Sequence, residues 1–247
     1  MSRTLGWIAT FGLGIGVVSL TLAYAIGGRD LHRLLDRGLS VAQSCEGTAS
    51  DDALSSERRL PWTGGDSIDI ALPATVRLRG GEGSDIVVRG VPDTIAHVEV
   101  RGGRIVLNCR WSAAARKVEI TLPGQAFRRV GLSGSGKVML ENLDQPELAL
   151  SISGSGSMRG QGSVDQLAVN VAGSGNARLA EVAVKQLKVN ISGSGNVEAA
   201  PKDDADISIS GSGNVRLLSR PTRLQQHIAG SGRITQAAVE AAEGNKK

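Results

Sequence analysis

The sequence predicts an all-β protein: a parallel β-solenoid (β-helix) of about six 19-residue coils, preceded by a β-rich N-terminal part and an N-terminal transmembrane or signal helix. Three observations carry the prediction. Gly-Ser-Gly recurs at 134–136, 154–156, 173–175, 193–195, 211–213 and 230–232, in steps of 20, 19, 20, 18 and 19 residues. Residues flanking each copy keep their register, which a flexible Gly/Ser linker would not do. The chain of 247 residues carries 33 glycines but just three Trp, two Phe and one Tyr, and Trp7, Phe11 and Tyr24 fall in the first 24 positions. The remainder must therefore fold around a narrow aliphatic core. A hydrophobic content of 40% against 21% charged residues excludes a disordered chain.

Residues 1–28 are a transmembrane anchor or signal peptide. Leu5 to Gly28 bear no charge, and as a helix at about 1.5 Å per residue they reach about 36 Å, against a hydrocarbon layer of about 30 Å. The length and the following Arg29, Arg33 and Arg37 favour an anchor, while Arg3 and the small-x-small triplet Ala23-Tyr24-Ala25 fit a cleaved signal. Either reading exports the body. Gly12 and Gly16 have the spacing that lets two membrane helices approach closely.

Residues 29–59 read as a juxtamembrane helix and linker. Leu31, Leu34, Leu35 and Val41 have roughly helical spacing, interrupted by Gly38, and Ser44 to Arg59 is polar. Cys45 and Cys109 suit one disulfide in an oxidising compartment, tying this linker to the body; two free thiols are the alternative.

Residues 60–130 form the β-rich part. Period-two alternation runs through 67–70, 75–78, 85–88, 97–100, 104–107 and 117–120, punctuated by Gly80-Gly81, Pro92-Asp93 and Gly102-Gly103.

Residues 131–236 are the repeats. Four positions before the first glycine of each triplet stand Val130, Leu150, Val169, Val189, Ile207 and Gln226, and two before it stand Leu132, Ile152, Val171, Ile191, Ile209 and Ile228. The intervening residues are small or polar in all but one copy, so one face is buried. Stacked coils add about 4.8 Å each, about 29 Å for six. Alternation carried through the triplet would point both glycines inward and the serine outward. Pro146, Pro201 and Pro221 are expected in the connections between strands. Residues 237–247 are a tail or capping helix, the Ala-rich stretch Gln236–Glu243 being able to cover the last coil.

This succession, with Val98-Glu-Val-Arg-Gly-Gly-Arg-Ile-Val-Leu107, Val118-Glu-Ile-Thr-Leu-Pro123, Ser192-Gly-Ser-Gly-Asn-Val197 and Ser210-Gly-Ser-Gly-Asn-Val215, resembles the bacterial family "putative auto-transporter adhesin, head GIN domain". The resemblance covers about Trp62 to Gln236. It implies a β-helical, envelope-associated domain and brings no catalytic motif. Lys137, Ser157 and Arg233 stand where other repeats have Asn, which interrupts a continuous Asn ladder.

Little in the sequence speaks for chemistry, so no catalytic, cofactor or metal residues are expected. The acidic group Asp203, Asp204 and Asp206 sits in a connection beside Pro201 and reads as a solvated loop, not a catalytic pair. No Asp follows the glycine triplets, against calcium, and no Lys-Ser/Thr follows them, against a phosphate loop. The histidines His32, His97 and His227 are scattered. Nucleic acid is disfavoured because residues 131–236 hold ten Lys/Arg against nine Asp/Glu. A basic excess precedes the repeats, at Arg101, Arg104, Arg110, Arg116, Lys117, Arg128 and Arg129, and serves either solubility or an anionic envelope surface.

The candidate binding surface is the outward strip Ser135, Ser155, Ser174, Asn176, Ser194, Asn196, Ser212 and Asn214, extended by Asn170 and Asn190. Such rows either bind an envelope glycan or other cell-surface component, or are small hydrogen-bonding ladders that permit close stacking. The expected function is non-enzymatic binding or scaffolding in the cell envelope, membrane-anchored on the periplasmic side or cell surface. Homo-oligomeric self-assembly is the alternative, and a polysaccharide-processing enzyme stands behind both.

Overall fold

The computed structural model describes residues 56–62, 65–79, 85–109, 118–124 and 126–237. Leu5–Gly28, Asp30–Gln43, Cys45 and residues 238–247 lie outside this range, and among the described residues no helix is long and apolar enough to cross a membrane. In chain order the strands are β1 Ser56–Pro61, β2 Ser67–Ala71, β3 Thr75–Arg79, β4 Asp85–Gly90, β5 Val98–Arg101, β6 Arg104–Leu107, β7 Glu119–Leu122, β8 Arg129–Gly134, β9 Lys137–Gly154, β10 Ser157–Gly173, β11 Asn176–Gly193, β12 Asn196–Gly211, β13 Asn214–Leu217, β14 Arg223–Gly230 and β15 Arg233–Gln236. One short helix, α1 Pro92–Ala96, follows β4 and carries a proline in its first turn, where the missing N–H costs nothing.

The alternation in the repeats becomes a parallel β-solenoid. Each of β9 to β12 is 16 to 18 residues long and makes one bent turn, pairing in parallel with the next at the same repeat position. Val138 thus lies on Met158, then Ala177, Val197, Val215 and Ile234. The inward columns Leu150–Val169–Val189–Ile207 and Ile152–Val171–Ile191–Ile209 are all no more than 2% exposed. Burial of each such side chain contributes about 1.5–3 kcal/mol, and only stacking supplies it, because a lone coil has nothing to bury against.

Both glycines of the triplet are needed, for different reasons. The first adopts positive φ, +123° at Gly193, and a Cβ there would lie 2.5 Å from the Gly173 carbonyl oxygen in the coil before. The second is the inward one: a Cβ on Gly195 would overlap Cγ1 of Val171. The expectation that both point inward is therefore corrected at the first position, which stays at the surface. Dispensing with side chains lets the ladder pass through the corner unbroken, Ser194 N–H donating to Gly173 O (2.8 Å) and Asn196 N–H to Gly175 O (3.0 Å).

Before the repeats the same stack continues with the chain laid down out of order. β2 and β3 lie on β8 and β9, Ile68 on Val130 and Val76 on Val138, with Leu72-Pro73-Ala74 in the corner that Gly-Ser-Gly occupies below. β6 and β7 lie on the other edge of β2 and β3, Ile105 on Ile70 and Ile120 on Val76. Antiparallel strands close this end, β4 on β7, β1 on β4 and β5 on β6. Trp62 and Phe127 also sit in this part, edge to face at 5.6 Å.

Three local expectations change. Ser56–Arg59, taken as linker, belongs to β1, and Arg58 Nη1 donates to the carbonyls of Ile95, Ala96 and Val98. His97, expected in a strand, follows α1 as its C-cap. Pro146 and Pro201 lie within β9 and β12 rather than between strands. Cys109, 9% exposed, is disulfide-bonded, and Cys45, its expected partner, is outside the described residues.

At the other end β14 pairs with β12 and β15 with β13, and among the described residues nothing pairs with their second edges. Ile228 in β14 is 40% exposed.

Candidate binding surface

The positive-φ glycine turns the chain so that the residue after it faces solvent. Ser135, Ser155, Ser174, Ser194 and Ser212 accordingly form an exposed row along one corner. Their hydroxyls make no side-chain hydrogen bond among the described residues. Two residues further, Asn176, Asn196 and Asn214 open the adjoining face, and parallel in-register pairing stacks their amides. Asn196 Nδ2 donates to Asn176 Oδ1 (2.9 Å) and Asn214 Nδ2 to Asn196 Oδ1 (3.1 Å). Lys137 and Ser157 above and Arg233 below bound this ladder. A second rung, Asn190 Nδ2 to Asn170 Oδ1 (3.0 Å), lies on the face before the corner.

The ladder does not exhaust the amides. A primary amide offers two N–H donors and two acceptor lone pairs. Asn196 uses one of each, so one N–H and one lone pair remain toward solvent, next to the unengaged serine hydroxyls. The strip is thus a stacking device that also leaves a regular array of donors and acceptors at the surface.

A neighbouring column was missed from the sequence. Two residues beyond the Asn row, in register, stand Met139, Arg159, Arg178, Glu198, Arg216 and Thr235. Arg159, Arg178 and Arg216 are exposed and have no ion pair among the described residues. With the Asn row, Arg178, Glu198, Arg216, Arg233 and Thr235 line a shallow groove of about 370 Å³. The signal was available at the fifth position after each first glycine, but charges counted along the chain average over all faces.

A larger groove, about 730 Å³, runs over the coils at Glu147–Ala149 and their partners below. Most of its charges answer one another. Arg128 pairs with Glu147 (3.5 Å), Lys188 with Asp206 (3.5 Å), and Arg223 Nη2 donates to Asp204 Oδ2 (2.7 Å). Hydrogen bonding from Arg223 holds the Asp204 carboxyl below its ordinary range and raises the Arg223 guanidinium in turn. Asp204 and Asp206 are therefore each engaged by a cation. Among the described residues no group of three or more His, Cys, Asp or Glu is placed to hold a metal ion. Arg129, Gln166, Gln186 and Gln225 line this groove without a side-chain partner among the described residues, so what distinguishes the Ser/Asn/Arg face is its stacked amide ladder beside unpaired arginines.

The described residues define a β-solenoid protein with glycine corners and in-register polar rows on its surface. Residues 65–221 match the family described as "Putative auto-transporter adhesin, head GIN domain", and the chain belongs to that family. It is similar in fold to the crystal structure of a putative adhesin from Bacteroides fragilis, at 16% identity and TM-score 0.59, covering 74% of this chain and 96% of that one. A putative lipid binding protein from Parabacteroides distasonis aligns over the same shares at 18% identity and TM-score 0.46. No curated protein matches the chain.

Proposed function

We propose that the protein is a non-enzymatic, exported cell-envelope protein whose solenoid binds an envelope or cell-surface component through the Ser/Asn strip, with Leu5–Gly28 as its membrane attachment. The observation that carries this is the amide ladder over three successive coils, at Asn176, Asn196 and Asn214, beside unengaged serines. Membership of an adhesin-described family supports the export and envelope part of the reading. Rigid stacking pre-organises the array, so a repetitive ligand meets several sites at once. The test is the triple variant Ser174→Tyr, Ser194→Tyr, Ser212→Tyr in the full chain, assayed for binding to whole cells and to purified envelope glycans. Binding should fall with thermal unfolding unchanged; equal binding sinks the proposal.

A second reading is pairing with another copy, favoured by the edges of β14 and β15, which have no partner among the described residues, and by Ile228. Pairing of these edges with the same edges of a second copy is isologous and stops at a two-fold dimer. Sedimentation should show a dimer that Ile228→Lys dissociates, and a strict monomer at all concentrations removes this reading.

A further inference from the structure

We infer that the ligand of this surface is an anionic glycan, lying along the solenoid axis across the Asn ladder and the arginine column. The inference rests on the reading of the Ser/Asn strip as the binding site and adds the charge of what it binds.

Charge on the repeats is sorted by face, which the near-neutral total conceals. Lys137, Arg159, Arg178, Arg216 and Arg233 all lie on the strands that follow the corner. None has an ion pair among the described residues, although Glu198 stands in register between Arg178 and Arg216. Elsewhere on the repeats the cations are largely spoken for, Lys185 by Asp165 (2.8 Å), Lys188 by Asp206 and Arg223 by Asp204. Toward the closed end the column continues into Arg77, paired with Met139, whose Nε is enclosed without a hydrogen-bond partner.

Arg159 is the register partner of Arg178, so two like charges stand about 4.8 Å apart in backbone spacing. Like charges directly opposite are unfavourable, and an anion between them reverses the sign. Guanidinium forks engage carboxylate or phosphate oxygens with two parallel hydrogen bonds. The adjoining amides and hydroxyls donate and accept, which suits sugar hydroxyls. Among the described residues this face carries no stacking platform for nucleobases: the large rings described, Trp62 and Phe127, pack on each other before the repeats.

The experiment measures binding of the full chain to polygalacturonate, to neutral dextran and to a single-stranded DNA oligonucleotide, for wild type and for the triple variant Arg159→Gln, Arg178→Gln, Arg216→Gln. Polygalacturonate should bind, weaken as salt rises, and lose at least about tenfold in affinity in the variant, whose exposed substitutions leave the melting curve in place. Failure to bind polygalacturonate, equal binding of dextran, tighter binding of DNA, or a variant that binds like wild type overturns the inference. The two readings separate cleanly. Loss of whole-cell binding in the serine variant together with wild-type binding in the arginine variant leaves the site standing and removes the anion.

Discussion

The repeat coils and the coils before them build one stack by different means. In 131–236 each turn closes through Gly-Ser-Gly, the chain advances one coil at a time, and every backbone pairing is parallel. In 67–122 the equivalent corner is Leu72-Pro73-Ala74, successive coils are laid on opposite edges, and antiparallel strands join in. A corner glycine is therefore not what turns the chain. It is required where one tight corner lies directly against another. Two residues, 135 and 136, link β8 to β9, whereas eleven, 108–118, link β6 to β7, and among the described residues the corner at Leu72–Ala74 has no such tight neighbour on that side.

The comparison breaks most sharply at the inner glycine. Gly195→Val would drive its side chain into Val171 and should cost about 3 kcal/mol or more, seen as a large drop in the denaturant midpoint. Ala74→Gly, at the matching position above, should cost about 1 kcal/mol or less. Similar losses for the two would show that corner stacking is not the constraint. Next in size, Ile191→Ala in the repeats and Ile105→Ala above them, at 1% and 0% exposed, should each cost about 2–5 kcal/mol. Near-equal values mean that the two regions share one core; a much smaller value at Ile105 means that the upper coils unfold separately, which hydrogen exchange would also report.

Smaller effects sharpen the contrast between the polar sides. Asn196→Ala removes a central rung and two amide hydrogen bonds, and should cost about 1 kcal/mol by thermal melting, because the ladder is exposed. Least of all is expected from the Asp204–Arg223 pair. The depressed carboxyl of Asp204 means that its contribution to stability is present above the unfolded-state pKa of Asp and is lost as pH falls through the lower folded value. NMR titration should place Asp204 below an ordinary Asp, and Arg223→Gln should return it, with little change in melting at neutral pH.

What could be read from the sequence follows from what each pattern encodes. The period of the triplets fixes the partner as well as the face, because a residue can only meet its own position in the next coil; Leu150, Val169 and Val189 stack on one another for that reason. Alternation at 67–70 or 104–107 fixes the face alone, so the order β6–β2–β8 was not legible. β1 was missed because Ser56–Pro61 is half-buried or exposed throughout and offers no apolar face. For the binding surface, the serine and asparagine rows were visible as repeated letters. The arginine column was not, since its letter changes at Met139 and Glu198 and its meaning depends on which cations have partners.

Since the backbone ladder runs through each corner and every coil touches only its neighbours, length is a countable quantity in this molecule. Excising residues 174–193 would join Gly173 to Ser194 and restore an intact triplet. The product should be the same solenoid one coil, about 4.8 Å, shorter. Reach and valency would then shrink together in whole steps, which makes the protein a ruler whose graduations are its glycine corners.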